Sequence, residues 1–308
     1  MEIIHASFLG FCMGVKKAME KAEQALDTYS NRQVYSLGPL IHNSVAMKSL
    51  EEKGLKVLPS ENPETLDSFD GKNSVVIIRA HGVSPIVKEK LNKSGAIVID
   101  ATCPKVLFNQ KKAADFAGKG FDIIIAGDKK HGEVAGIQGV AESEEDSRLV
   151  EIVENPLQAE SLCLENENCV ILSQTTFSPL EYEKIVETVR EKKPGVLVLN
   201  TICSATEERQ NALHELCKKC DVVLVIGGKN SANTKRLYQL ANSHCFQDGF
   251  RVKKVFHFEG ELKDKDEFCE VKQAIAEIGV DCVVGITAGA STPQSSISFF
   301  DEILNEIS

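Results

Sequence analysis

The sequence predicts an α/β fold made of three similar parallel-sheet domains. Seven short runs rich in Val, Ile and Leu each end in small or polar residues, at 75–82, 96–103, 122–132, 169–176, 196–203, 222–231 and 282–291. Continuous apolar runs are typical of parallel strands that helices cover on both faces. The intervening segments mix charged and apolar residues at three- and four-residue spacing, which predicts helices at 16–29, 84–95, 178–193 and 206–220.

A threefold pattern in the turns supports the division into three domains. Cys12, Cys103 and Cys203 each lie in a turn before a predicted helix, at a spacing of about 90 to 100 residues, and two further polar turns follow each of them. We therefore expect domains at 14–101, 102–199 and 200–308. Residues 1–13 are expected to form an N-terminal strand that pairs with the last domain. Ligands of parallel sheets bind beyond the carboxyl ends of strands, where these turns lie, so three such edges would enclose a central cavity.

Composition excludes several function classes. The chain has 308 residues, 43% hydrophobic and 26% charged, with a formal net charge of −10. This charge and the lack of a basic block argue against nucleic acid and anionic membranes as partners. No apolar stretch approaches the roughly 20 residues of a membrane span, and the N-terminus lacks a basic region before a long apolar run. The expected location is cytoplasmic.

Ten cysteines are many for a chain of this size. Thiols stay reduced in the cytosol, so metal binding explains them better than disulfides. A thiol at a helix N-terminus has a lowered pKa and nearby N–H donors, and Cys12, Cys103 and Cys203 share that position. Three thiolates can hold three irons of a cubane cluster and leave the fourth iron open. Spacing alone leaves an equal alternative, in which the three thiols only pack at the ends of core strands.

A second cysteine pattern competes with the first. His214, Cys217 and Cys220 lie about one helical turn apart and could contribute to a zinc site. They occupy the C-terminal end of a predicted helix, where the helix dipole disfavours a thiolate, so a structural role is the default. The remaining cysteines show no partner pattern and are expected to be packing or surface thiols: Cys163, Cys169, Cys245, Cys269 and Cys282.

The polar turns predict an anion site. Three of them contain histidine, and others supply uncharged donors; the residues are His42, His81, His131, Thr175, Thr176, Ser231, Asn233 and Ser291. Such donors and helix N-terminal amides can surround phosphate oxygens, although capping of the following helices would also explain the hydroxyl and amide side chains. Walker and Gly-x-Gly-x-x-Gly motifs are absent, which argues against ATP hydrolysis and dinucleotide-dependent hydride transfer.

One carboxylate lies among these turns. Glu133 follows His131 by two residues, and a partly desolvated glutamate could hold a proton near neutral pH and deliver it. As a surface acid it would have no such role.

Together these turns resemble the LytB/IspH family of 4-hydroxy-3-methylbut-2-enyl diphosphate reductases, in the non-mevalonate isoprenoid pathway. The resemblance rests on eight motifs in order: GFCMGV, AHGVS, DATCP, HGE, SQTT, TICSAT, GKNSANT and TAGAS, from about residue 3 to 300. It implies a pseudo-threefold trefoil of three α/β domains around a central 4Fe-4S cluster. The cluster would be bound by Cys12, Cys103 and Cys203 with one open iron, and loss of that labile iron would leave a 3Fe-4S cluster.

The resemblance also implies roles for individual residues. The diphosphate would be bound by His42, His81, His131, Ser231, Ala232, Asn233 and Ser291. Thr175 and Glu133 would handle the substrate hydroxyl and its proton, with His131 beside them. The implied reaction adds two electrons, expels the hydroxyl as water and protonates the allylic remainder at either of two carbons. The electrons would come from a ferredoxin or flavodoxin.

Two positions depart from the family pattern. Ala232 stands where many relatives have serine, which removes a hydroxyl from the diphosphate site but leaves the backbone N–H. Met13 stands where a smaller alanine is frequent, so packing beside the cluster is expected to differ.

Two alternatives remain. A redox-neutral dehydratase would use the same open iron as a Lewis acid on a small phosphorylated substrate. A zinc-stabilised binding protein would use Cys217 and Cys220 instead.

Overall fold

The structure is a computed structural model that describes residues 1–58, 63–260, 262 and 265–307. Within these residues, no helix combines the length and the apolar character that a bilayer crossing requires.

Parallel strands and helices alternate along the described chain. The strands are β1 (Glu2–His5), β2 (Gln33–Leu37), β3 (Lys56–Leu58), β4 (Ser74–Ile78), β5 (Ile97–Asp100), β6 (Asp122–Ala126), β7 (Val150–Val153), β8 (Cys169–Ser173), β9 (Leu197–Val198), β10 (Val222–Ile226), β11 (Lys254–Phe258) and β12 (Val283–Ala288). The helices are α1 (Met13–Thr28), α2 (Ser44–Glu52), α3 (Pro85–Lys93), α4 (Pro104–Ala117), α5 (Gly132–Glu142), α6 (Pro156–Glu160), α7 (Pro179–Lys192), α8 (Ser204–Cys217), α9 (Ala232–Ser243), α10 (Cys269–Ile278) and α11 (Gln294–Glu306). Short 3₁₀ helices cover Pro63–Leu66 and Lys265–Phe268.

The strands form three four-stranded parallel sheets that share one topology. Their orders are β3-β2-β4-β5, β7-β6-β8-β9 and β11-β10-β12-β1. In each sheet the first and third strands of the repeat are central, and the fourth lies at an edge. In the last sheet β1, from the start of the chain, takes the place of the fourth strand and pairs in parallel with β12. The predicted α/β class with three similar parallel sheets is confirmed.

Burial explains why these strands are central. Every residue of β4, β6, β8, β10 and β12 is buried, as expected for strands with helices on both faces. In β10, Val222, Leu224 and Ile226 pack in one apolar cluster, which includes residues of α10 and α11. Val223 and Val225 pack in a second cluster with residues of α8 and α9. Because successive side chains of a strand point to opposite faces of the sheet, the single apolar run of β10 contributes to two cores.

The sequence analysis missed four strands: β2, β3, β7 and β11. Three of them, β3, β7 and β11, lie at sheet edges and carry polar or charged residues, as in Lys56–Leu58. β2 is central, but its sequence QVYSL alternates and is not a continuous apolar run. The search for continuous apolar runs therefore found the five fully buried strands and the edge strands β5 and β9, but missed strands that are short or interrupted by polar and charged residues.

Residue contacts group the chain into two compact units. One comprises Met1–Lys16, Ile41–Leu50 and Ser204–Ser308, and holds the sheet that contains β1. The other comprises Lys17–Leu40 and Glu51–Cys203, and holds the other two sheets. Each of these two sheets also falls within one predicted domain, 14–101 or 102–199. The three domain boundaries themselves stay a prediction.

A buried carboxylate ties together the strand starts of the sheet that contains β1. Asp221 directly precedes β10, and its side chain is 2% exposed. It accepts hydrogen bonds from Arg251 Nη2 at 2.6 Å and from the backbone N–H of Val283 at 3.0 Å, and Lys253 Nζ lies 3.3 Å away. Burial acts to raise the pKa of Asp221, but the hydrogen bonds from Arg251 and Val283 outweigh it, so the pKa lies below its ordinary value.

We predict that Asp221→Asn lowers the free energy of unfolding by about 2 kcal/mol at pH 7, because charge-assisted bonds to Arg251 and Lys253 are lost. Since the pKa of Asp221 is depressed, its contribution is present above the ordinary carboxyl range and disappears as pH falls through the folded-state value. Urea unfolding at several pH values measures this difference. Glu89→Gln is the matched control: its ion pair with Lys93 is exposed, so its loss should leave the free energy of unfolding close to that of the wild type. Equal losses in both variants would contradict the role of Asp221.

Candidate functional site

The three predicted cluster ligands occupy equivalent places in the three repeats. Each of the cysteines follows the fourth strand of its sheet, β1, β5 or β9, and directly precedes a helix. Cys12 lies before α1, Cys103 before α4 and Cys203 before α8. All three are half-buried, and none of them forms a disulfide. The predicted position at helix N-termini is thus found in all three cases.

One backbone hydrogen bond recurs at each of these cysteines. The N–H of Cys103 donates to the carbonyl of Ala80 at 3.0 Å, two residues beyond the end of β4. The N–H of Cys203 donates to Thr175 at 2.9 Å, two residues beyond β8, and that of Cys12 donates to Ala290 at 3.0 Å, two residues beyond β12. In every repeat the turn after the fourth strand is therefore fastened to the turn after the third.

The surroundings of the thiols are suited to thiolate chemistry. The backbone N–H of Val15, in the first turn of α1, donates to the Cys12 sulfur at 3.5 Å. Helix N-termini carry unsatisfied N–H groups that can donate to a sulfur ligand, and each of the three cysteines directly precedes such a helix start. The residues present fit an iron-sulfur or other thiolate-bound metal group.

A buried arginine, which the sequence analysis missed, holds the turn before Cys12. Arg209 in α8 is 5% exposed; its Nη2 donates to the carbonyl of Gly10 at 2.7 Å, and its Nη1 donates to Ala205 at 2.7 Å. Gly10 has a φ of +75°, a conformation that favours glycine. The buried guanidinium of Arg209 therefore stabilises the conformation of this turn. Its signal in the sequence was weak, because charged residues are common in α8.

Glu133 and Thr175 form a buried pair. Glu133, in the first turn of α5, is 1% exposed. Its Oε1 accepts the backbone N–H of Thr175 at 2.7 Å, and its Oε2 accepts the hydroxyl of Thr175 at 2.8 Å. The carbonyl of Thr175 accepts the N–H of Cys203. Thr175 therefore links the Glu133 carboxylate to a predicted cluster ligand through two hydrogen bonds. Glu133 and Thr175, which are predicted to handle the substrate hydroxyl and its proton, are therefore in direct contact.

Burial sets the protonation of this acid. Desolvation raises the pKa of Glu133 from 4.5 to about 7, although the two hydrogen bonds from Thr175 act in the opposite direction. A carboxyl group with this pKa is half protonated near neutral pH and can therefore serve as a proton donor.

Two of the predicted histidines lie beside this acid. His131 caps α5: its Nδ1 accepts the N–H of Glu133 at 3.2 Å, so in the neutral ring Nε2 carries the hydrogen. The ring of His81 packs edge-on against that of His131 with centroids 4.7 Å apart. His81 lies next to Ala80, which accepts the Cys103 N–H. Glu133, Thr175, His131 and His81 are therefore gathered in the unit that contains Cys103 and Cys203.

The other unit gathers the remaining predicted anion ligands. The hydroxyl of Ser291, after β12, donates to the carbonyl of His42 at 3.2 Å. Gly228, after β10, packs so closely on this segment that an added Cβ would lie 2.1 Å from the His42 carbonyl oxygen. The turn from Gly228 to Ser231 is closed by a 2.9 Å bond between their backbones. Three turns thus meet at the carboxyl ends of β10 and β12.

The start of α9 completes this group. Ser231 caps the helix by accepting the N–H of Thr234 at 3.4 Å, which uses an oxygen lone pair and leaves the hydroxyl hydrogen for another acceptor. Ala232 is the first helical residue and contributes only its backbone N–H. Asn233 is 4% exposed, and its Nδ2 has no hydrogen-bond partner among the described residues. A buried amide donor at a helix N-terminus is suited to an anion.

Asn43 is a second buried amide that the sequence analysis did not single out. It is 2% exposed, and its Oδ1 caps α2 by accepting the N–H of Ala46 at 3.0 Å. It follows His42 and precedes α2, as Ser231 precedes α9. From the sequence alone, a buried amide at this position cannot be distinguished from an ordinary helix cap.

The structure disfavours the competing zinc site. Cys217 and Cys220 have no exposed surface and pack in the apolar cluster that holds Leu213 and Val223. Burial raises the pKa of both thiols to about 12, so both stay protonated. The His214 ring instead lies 3.3 Å from His244, between Nδ1 and Nε2. The Cys-x-x-Cys pair is therefore a packing feature.

Comparison with known proteins places these features in a family. The family profile described as LytB protein matches residues 3–307. A curated relative named 4-hydroxy-3-methylbut-2-enyl diphosphate reductase, from Caldanaerobacter subterraneus subsp. tengcongensis, is 39% identical over 307 residues, which are 100% of this chain and 96% of the relative. A relative of the same name from Treponema denticola is 39% identical over 313 residues, covering 99% of this chain and 100% of its own.

Two solved structures are also similar over the full chain. That of the E-1-hydroxy-2-methyl-but-2-enyl-4-diphosphate reductase from Plasmodium falciparum has a TM-score of 0.83 and 28% identity, covering 99% of this chain and 88% of that one. The second, described as (E)-4-hydroxy-3-methyl-but-2-enyl diphosphate reductase, the terminal enzyme of the non-mevalonate pathway, has a TM-score of 0.68 and 34% identity, covering 99% and 100%. With the full-length profile match and relatives at 39% identity, this chain belongs to the LytB family.

Proposed function

We propose that this chain is a 4-hydroxy-3-methylbut-2-enyl diphosphate reductase, which converts its substrate to isopentenyl and dimethylallyl diphosphate in the last step of the non-mevalonate pathway. The observation that carries the proposal is the repeated placement of Cys12, Cys103 and Cys203, each before a helix and each fastened by the same backbone hydrogen bond. The names of the full-length relatives support it.

The three cysteines would together hold one 4Fe-4S cluster with one open iron. All three thiols are half-buried, and the backbone N–H of Val15, in the first turn of α1, donates to the Cys12 sulfur. When bound, the cluster supplies electrons and a Lewis-acidic iron without a protein ligand.

Anion-binding groups would hold the diphosphate. We assign this role to His42, His81, His131, Ser231, Ala232, Asn233 and Ser291. Support comes from the unpartnered Nδ2 of Asn233, the free hydroxyl hydrogen of Ser231 and the Nε2–H of His131. Ala232 contributes its backbone N–H at the start of α9, where the helix dipole favours negative charge.

Glu133 would deliver the proton that lets the hydroxyl leave as water. Its raised pKa keeps a proton available near neutral pH, and its Oε2 accepts the hydroxyl of Thr175, which would contact the substrate oxygen. The overall reaction takes up two electrons and two protons, breaks one C–O bond and forms one C–H bond and one water. His131 positions Glu133 by accepting its backbone N–H.

We further propose that the reaction takes place in the cytoplasm, with a ferredoxin or flavodoxin as the electron donor. All ten cysteines are described, and none forms a disulfide, which fits a reducing compartment.

The test of the function is anaerobic turnover of the hydroxylated diphosphate with reduced methyl viologen. We expect two electrons to be consumed for each product molecule and no turnover without reductant. Turnover without reductant would instead identify a redox-neutral dehydratase.

We predict that Cys203→Ser abolishes or severely disrupts cluster binding, because a serine oxygen is a poor ligand for this iron group. Iron and sulfide content and visible absorption of the anaerobically purified protein measure the loss, and circular dichroism checks that the fold remains. Cys163→Ser is the matched control, since Cys163 is exposed and contacts only Glu165, at 3.9 Å, among the described contacts. A fully loaded, active Cys203→Ser protein would remove Cys203 from the ligand set.

We predict that Glu133→Gln lowers kcat about a hundredfold or more, because an amide keeps the contacts to Thr175 but delivers no proton. Wild-type kcat should fall as pH rises above about 7, where the acid is deprotonated. Since the folded pKa is raised, the wild type should also lose stability relative to the variant as pH rises from 4.5 to about 7.

The matched control for Glu133 is Glu142→Gln, at the exposed C-terminal end of the same helix. It should retain wild-type kcat and pH dependence. A Glu133→Gln enzyme with normal kcat would show that the proton comes from elsewhere.

We predict that Gly228→Ala weakens diphosphate binding, because its Cβ would collide with the His42 carbonyl and displace the turns that carry His42 and Ser231. The expected result is a KM for the substrate raised about tenfold or more. Gly195→Ala is the control, since a Cβ there meets nothing within 4 Å. An unchanged KM in Gly228→Ala would exclude this turn from the substrate site.

A further inference from the structure

The exposed face of α4 carries large apolar side chains close to a proposed cluster ligand. Leu107 is 44% exposed and Phe108 is 52% exposed, and Pro104 before them is exposed as well. The opposite face of the same helix is buried, with Val106 and Ala113 in the interior of the unit. Exposed Phe and Leu in adjacent positions cost solvation free energy, and they are typical of surfaces that another molecule covers.

Cations surround this apolar face. Lys105, Lys111 and Lys112 lie in the first three turns of α4, which contain no acidic residue before Asp115. The Lys112 ammonium lies over the Phe108 ring, 5.6 Å from its centroid. In a chain with a net charge of −10, this stretch is locally positive. An apolar centre with a basic rim selects an acidic partner and raises its association rate.

The exposed face of α4 also lies near Cys103, a proposed ligand of the cluster that would receive the electrons. The backbone N–H of Leu107 donates to the Cys103 carbonyl at 2.9 Å, so Leu107 closes the first helical turn after the cysteine. At a rise of about 1.5 Å per residue, Phe108 lies roughly 7.5 Å along the helix axis from Cys103. A protein seated here would bring its redox centre close to that thiol.

Two other exposed apolar residues lack this charge pattern, whereas Met13, which is 53% exposed and precedes Lys16 and Lys17, shares it and is therefore tested beside α4 below. Leu157 and Leu180 are more exposed, at 73% and 63%, but acidic residues flank them, including Glu160 and Glu181. The helix that follows Cys203 begins with Glu207 and Glu208. An acidic partner would be repelled at both places.

We propose that the exposed face of α4, formed by Pro104, Lys105, Leu107, Phe108, Lys111 and Lys112, docks an acidic one-electron carrier protein. This inference rests on the proposed function, because the carrier supplies the reductase. Two reduced carriers are each oxidised by one electron, and with two protons they turn one hydroxylated diphosphate into one product and one water. Such redox encounters bury little surface and depend on charge.

The experiment uses the holoenzyme with a reduced acidic ferredoxin as donor, and with reduced methyl viologen as a small donor that needs no docking face. For Lys105→Glu/Lys111→Glu and for Phe108→Ala, we expect kcat/KM for ferredoxin to fall about tenfold at low salt, while the dye-driven rate stays within about twofold of wild type. Raising the salt concentration should lower the wild-type rate with ferredoxin towards that of the charge variant.

A binding measurement provides a readout apart from activity. Titration of oxidised ferredoxin into the enzyme should give a Kd about tenfold higher for both α4 variants. The matched control is Lys16→Glu/Lys17→Glu, which makes the same charge change on two exposed lysines that follow Cys12. It should leave the Kd and the ferredoxin-driven rate within about twofold of wild type.

The outcomes separate this inference from the proposed function. If the α4 variants bind and accept electrons from ferredoxin like wild type, the docking face is wrong while the dye-driven activity still supports the reductase. If the control pair loses as much as the α4 pair, the overall charge governs binding and the inference is again overturned. If the wild type shows no dye-driven activity, the proposed function fails, and the Kd values still decide whether α4 is a docking face.

Discussion

The structure depends on one hydrogen bond that is made three times, from a cysteine N–H to the carbonyl two residues beyond the third strand of its sheet. An edge strand as short as β9, with two residues, could not position the turn that follows it. Fastening that turn to the fully buried neighbouring strand gives Cys203 a rigid support. The same bond brings the third-strand turns beside the cysteines, and these turns carry His81, Thr175 and Ser291. The positions of the proposed cluster ligands and of several proposed substrate-binding residues therefore depend on one element of backbone geometry.

Burial then decides the chemistry that each group is suited to. Glu133 is enclosed and holds a proton near neutral pH, whereas Cys217 and Cys220 are enclosed without partners and stay neutral. Cys103 lies half-buried at a helix start, beside unsatisfied backbone N–H groups. Side chains of one type thus differ in the chemistry that they are suited to, because they differ in solvent access and in the helix end beside them.

The sequence predicted five of the six central strands, for identifiable physical reasons, and missed β2, while the roles of the site residues stay predictions. Runs such as Val222–Ile226 are apolar without interruption because both faces are covered, so they stand out from one sequence. Edge strands such as Lys254–Phe258 are half-exposed and resemble loops in composition. The cysteines were recognisable because their spacing repeats. Arg209 and Asn43 were not, since burial of a single polar side chain depends on tertiary packing that no local pattern records.

The place of β1 in the last sheet has a consequence for biosynthesis. Residues Glu2–His5 are synthesised long before the strand beside which they lie, Val283–Ala288. The carbonyl of Ala290 that anchors Cys12 emerges later still. Cys12 therefore lacks its final setting until the third sheet has been synthesised. Insertion of any metal group that needs all three thiols must wait for that point, and a chain stalled before Ala290 would be unable to mature.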